Sequence, residues 1–156
     1  MDFSFPMDGD QLMKPVKTLC AAMLLGATCA LPALGAELEV VVHGVASTEG
    51  TVMIRVYQGK KGWLKTNGIE QRTLSLEEFE PGGTLTTVFE LPKGEYAISA
   101  YHDEDDDGKL DSNFIGIPKE PAGMSREPKA RMGPPKYEDA AFELTEEGLS
   151  MPVTVN

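Results

Sequence analysis

Four aspartates, Asp103, Asp105, Asp107 and Asp111, crowd the hardest oxygen donors of the chain into nine positions, with Gly108 between the third and fourth. Their spacing, D-x-D-x-D-G-x-x-D, is that of a Ca²⁺-binding loop. In such loops the side chains at positions 1, 3 and 5 bind, a glycine at 6 makes the turn, and a backbone carbonyl serves at 7. Those positions fall on Asp103, Asp105, Asp107, Gly108 and Lys109, and Asp111 at position 9 binds directly or through water. Position 12 is Phe114 rather than the bidentate Glu of an EF-hand. The pattern therefore predicts a structural clamp and not a calcium sensor, with affinity in the weak extracellular range of about 10⁻⁴–10⁻³ M.

Two plainer readings accompany it. Asp-Gly is a common turn pair, so the run could be a solvated acidic turn. Alternatively, Arg126, Lys129 or Arg131 from the basic segment downstream could fold back and neutralise the carboxylates without a metal. The same three residues are candidates for binding an anionic glycan.

Enzymatic constellations are sparse. The only histidines are His43 and His102, and neither H-E-x-x-H nor G-x-S-x-G occurs. A metal-dependent hydrolase built on His102 and the acidic loop is the alternative function. A set so rich in hard oxygen favours Ca²⁺ over zinc.

The elements that must position this loop are strands. Leu38, Val40 and Val42 alternate with Glu37, Glu39 and Val41, and Val52, Ile54 and Val56 alternate with Met53, Arg55 and Tyr57. The turn-rich 44–50 stretch between them predicts a hairpin. Lys60–Lys65 reads as one helical turn with Trp63 and Leu64 as a plug. Further strands are expected at Gln71–Leu76, at Thr84–Leu91 with Leu85, Val88, Phe89 and Leu91 inward, at 95–101 with Tyr96, Ile98 and Ala100 on one face, and at Ala140–Leu144 and Met151–Val155. Phe114–Asp139 has no period. Pro118, Pro121, Pro128, Pro134 and Pro135 exclude a central strand or long helix there. The sum is an all-β fold, an antiparallel β-sandwich of six or seven strands, transthyretin- or immunoglobulin-like, with one long irregular loop.

The formal net charge of −11 argues against a nucleic-acid partner. Residues 13–36 read as a signal peptide: Met13-Lys14-Pro15-Val16-Lys17, an apolar run from Leu19 to Leu31, then a small-residue site ending at Ala36. Residues 1–12 read as an over-long start, and 37–156 as the β-sandwich domain. Cys20 and Cys29 both fall inside the signal, so the mature chain is expected to have no thiol chemistry. Its charge would be −10. The expected location is periplasmic or secreted, with no stable membrane span after cleavage.

Several stretches carry a family resemblance: Tyr101-His102-Asp103, Gly108-Lys109-Leu110-Asp111, the run from Asn113 to Glu120, and the run from Gly133 to Phe142. Through them the chain resembles the bacterial exported domain of unknown function 2141 family, from about Leu38 to Val155. The 89–96 segment also resembles transthyretin-like, carboxypeptidase-regulatory-like sandwiches. The resemblance implies the sandwich and carries no activity. The reading that follows is an exported, non-catalytic envelope or extracellular binding module with a structural Ca²⁺ loop. Its partner is expected to be an envelope component or glycan.

Overall fold

The computed structural model describes Met1 and residues 35–65, 67–114, 118–129 and 133–156. The expected start segment and signal peptide fall almost wholly outside them. The β-structure lies in the unit Pro32–Asn156. Its strands are β1 (Ala36–His43), β2 (Thr51–Tyr57), β3 (Glu70–Ser75), β4 (Leu85–Leu91), β5 (Gly94–Asp103), β6 (Ala122–Met124), β7 (Phe142–Leu144) and β8 (Leu149–Thr154), with one short helix, α1 (Tyr137–Ala140).

Two sheets form. One has the order β4-β1-β8 and the other β3-β2-β5-β6, with β7 also paired to β5. Period-two alternation explains why they stack. Leu38, Val40 and Val42 of β1 and Val52, Ile54 and Val56 of β2 are all fully buried. With Phe89, Tyr96, Ile98, Leu144 and Val153 they make one core between the sheets. The all-β sandwich read from the sequence is the architecture observed.

Four local expectations are corrected. β1 and β2 do not form a hairpin: β1 pairs with β4 and β8, and β2 with β3 and β5. The 44–50 connection crosses between sheets, and because both strands face the same core, alternation alone reads identically in either arrangement. The β1–β8 pair is parallel, while the remaining pairs are antiparallel. Val88 stands out of the core at 40% exposed, since the inward positions of β4 are Leu85, Phe89 and Leu91 in strict alternation. Ala140 ends α1 instead of opening a strand. Within the proline-rich segment, β6 pairs its three residues with Ser99, Ala100 and Tyr101. It is a short edge strand and so compatible with the prolines around it.

A second, smaller cluster lies on the outer face of β2 and β5. Tyr57, Trp63 and Tyr137 meet edge to face, with ring centroids 4.9 and 5.8 Å apart. The Trp63 indole N–H donates to the Pro135 carbonyl at 2.9 Å. Trp63 is thus the plug expected, although residues 61–65 are turns rather than a helix.

The 44–50 crossing also fixes the start of the acidic loop. Gly50 has φ +70°, and a Cβ there would lie 1.8 Å from the Asp103 carbonyl oxygen. Left-handed backbone and a backbone clash both forbid a side chain. Gly50→Ala should lower stability by about 3 kcal/mol or more in urea unfolding. A loss below about 1 kcal/mol would contradict this close approach.

Candidate metal centre

The acidic loop leaves the end of β5, where His102 and Asp103 pair with Val52 and Thr51 of β2. Asp103 is 1% exposed. Its Oδ1 accepts the Asp107 N–H at 3.1 Å and its Oδ2 accepts the Gly108 N–H at 2.8 Å. One buried carboxylate therefore folds the following five residues into a turn. Asp106 and Gly108 adopt left-handed backbone, at φ 58° and 78°, which Asp and Gly tolerate best. The Thr51 hydroxyl donates to Asp106 at 3.1 Å.

Glu120 closes the loop from the other end. It is 8% exposed. Its Oε1 accepts the Glu104 N–H at 3.0 Å, and its Oε2 accepts the Asp111 N–H at 2.9 Å. The Lys119 N–H donates to the Asp111 carbonyl at 2.9 Å, and Ser112 bridges to Pro118. Residues 111 and 119 thus form the neck of a chain excursion, and Glu120 is its bolt.

These two buried carboxylates meet the exposed Asp105. One ligand oxygen from each of Asp103, Asp105 and Glu120 lies within 4.8 Å of the others. This triad could hold a metal ion. Each bonded oxygen of Asp103 and Glu120 has one amide partner and keeps a second lone pair. The donor set is all carboxylate, which suits a hard cation. Among the described residues, no Lys or Arg pairs with any of the three. Two nearby lysines are spent on the other aspartates, Lys109 on Asp107 at 3.5 Å and Lys119 on Asp111 at 3.7 Å.

The ligand set read from spacing is therefore brought together only in part. Asp103 and Asp105 converge. Asp107 and Asp111 stand outside the triad, each paired with a lysine. The Lys109 N–H donates to Asp107 at 2.8 Å. Glu120 was not legible as a ligand, because it sits within a segment that shows no period. Its sequence signal was its place at the end of the family-resembling run from Asn113 to Glu120, which carries no ligand role.

Of the basic residues allowed for, the described Arg126 is engaged elsewhere than on the acidic turn. Arg126 donates through Nη1 to the Ala141 carbonyl at 2.7 Å, Lys129 is exposed, and Arg131 lies outside the described residues. His102 is fully buried. Its Nε2 lies 2.7 Å from the Glu49 carbonyl, so that nitrogen carries the proton. Nδ1 has no hydrogen-bond partner and lies 3.9 Å from Glu104 Oε1. His43, at the end of β1, approaches Thr84 Oγ1 at 3.4 Å. Neither histidine joins the carboxylate triad.

With the fold and this geometry in hand, comparison with known proteins settles the family. The chain belongs to the DUF2141 family. Its family model, described as an uncharacterized protein conserved in bacteria, matches residues 40–151. That span runs from within β1 to within β8 and takes in all three carboxylates. Neither a curated protein nor a solved structure matches the chain.

Asp105 and Glu120 should separate in the absence of metal. Glu120→Ala strands two backbone amides and loses two charge-assisted hydrogen bonds. Urea unfolding in EDTA should show a loss of about 3 kcal/mol. Asp105→Asn, at an exposed position, should stay within about 0.5 kcal/mol under the same conditions. Equal losses would mean that the two carboxylates have the same role.

Proposed function

We propose that this DUF2141 chain is an exported, non-catalytic β-sandwich module in which one Ca²⁺ clamps the acidic loop to the segment leading into β6. Asp103, Asp105 and Glu120 would hold the ion, with backbone carbonyls and water completing its shell. The observation that carries this reading is the triad's missing counter-charge. Two of its three carboxylates are buried, and none of the three forms an ion pair with a Lys or Arg among the described residues. Buried charges are paired or coordinate metals. Three carboxylates so close repel one another until a cation lies between them.

Calcium is favoured within that class by the all-oxygen donor set and by its tolerance of irregular geometry. Mg²⁺ demands a near-ideal octahedron and parts with water reluctantly. Export is supported by the n-region, apolar run and small-residue site at 13–36. The module's partner would be an anionic envelope glycan or a like component, met through the basic residues after β6, of which Lys129 is exposed.

His102 supports a structural role over a hydrolytic one. It is buried, and its Nε2 is occupied by the Glu49 carbonyl. A general base must reach the proton it abstracts.

The test is thermal unfolding with and without the metal. At 100 times its dissociation constant, Ca²⁺ should add about 2.7 kcal/mol, or about 10 °C in Tm for a domain of this size. EDTA should reverse the gain, and Asp105→Asn should abolish it. An unchanged Tm across the Ca²⁺ series would sink the reading.

A further inference from the structure

One pair of side chains on the outer face of the larger sheet reaches the acidic loop and has no part in the cation reading. Arg55, in the middle of β2, points away from the core that Ile54 and Val56 enter. Its Nη2 donates to the Tyr101 hydroxyl at 3.0 Å and approaches the Gly108 carbonyl at 3.4 Å. The Tyr101 hydroxyl donates to the same carbonyl at 3.1 Å. The guanidinium also lies 5.2 Å from the Tyr101 ring centroid, within cation–π range. Tyr101 is itself buried, and that burial pushes its phenol above the ordinary value, with Arg55 opposing.

Gly108 is thus held at both its amide and its carbonyl. Its N–H goes to Asp103 Oδ2, and its carbonyl receives Tyr101 and Arg55. Arg55 has no carboxylate partner among the described residues, and its Nε is buried without a hydrogen bond. The half-buried guanidinium thus rests on neutral acceptors, both of them part of the acidic loop or the strand that leads into it.

We propose that Arg55 and Tyr101 form a latch that sets the turn of the acidic loop before any cation arrives, making Arg55 a positioning residue of the cation site. Only the cation part of this proposal rests on the calcium reading. A loop ordered in advance loses less freedom on binding, which favours affinity. The charge of Arg55 acts in the opposite sense, because a nearby positive group repels Ca²⁺. Truncating Arg55 therefore separates the two effects by sign: pure electrostatics would tighten binding, and loss of the latch weakens it.

The experiment uses the full chain with Arg55→Met and Tyr101→Phe. Amide hydrogen exchange is followed by NMR in EDTA, and Ca²⁺ binding by calorimetry. In either variant the Asp107 and Gly108 amides should exchange about tenfold faster, while Ile54 and Ile98 keep wild-type protection. Arg55→Met should bind Ca²⁺ about fivefold more weakly. Exchange within about twofold of wild type in both variants overturns the latch. Faster exchange with equal or tighter Ca²⁺ binding overturns the positioning role. If Arg55→Met fails to fold, Tyr101→Phe decides, since it removes only the hydroxyl. If wild type binds no Ca²⁺, the calcium reading fails, and the exchange result still decides the latch.

Discussion

Asp103 and Glu120 are withdrawn from water with four backbone N–H groups on their oxygens and no basic side chain against them. Much of the molecule's irregular part follows from that arrangement. A buried carboxylate without a counter-ion is tolerated only where hydrogen bonds or a cation replace its hydration. Here the amides come from Glu104, Asp107, Gly108 and Asp111, so satisfying the two carboxylates is the same act as folding the loop. The segment between Asp111 and β6 is then tied at its neck, where Glu120 and Lys119 both meet Asp111.

The sheets make this possible by supplying rigid ends. β5 is the longest strand and is paired on both edges, by β2 on one side and by β7 and β6 on the other. Its last residue is Asp103. β6 begins two residues after Glu120, past Pro121, and pairs with β5 at Ser99–Tyr101. The two buried carboxylates thus sit at the ends of neighbouring strands of one sheet, and the loop between them has little choice but to bring them together. The crossing at 44–50 locks the same corner from below, through Gly50 against Asp103 and Glu49 against His102. Rigid strands position a site more finely than loops do, and here two of three acidic groups are anchored at strand ends.

What was legible in the sequence follows the range of the interaction. Period-two alternation reveals strands and their inward faces, so Leu38, Val40, Ile54, Phe89 and Ile98 are all where the pattern puts them. It is blind to which strand pairs with which, and the β1–β2 hairpin failed for that reason. The site divides in the same way. Asp103, Asp105 and Gly108 lie within a local pattern whose turn chemistry can be read from spacing. Glu120 arrives through a pairing between β5 and β6 that no local pattern announces. Asp107 and Asp111 fit the spacing, but each is drawn off by a lysine, Lys109 or Lys119, that the spacing rule ignores. Arg55 read as an outward strand position and nothing more, because its role depends on Tyr101 lying beside it on the next strand.

The measurement that bears most directly on the carboxylate triad is diffraction at long wavelength from crystals grown in Ca²⁺. One anomalous peak is expected, at about 2.3–2.6 Å from oxygens of Asp103, Asp105 and Glu120, with Asp107 and Asp111 still on their lysines. A peak held instead by Asp107 and Asp111, or no peak in crystals whose loop is well ordered, would contradict the account.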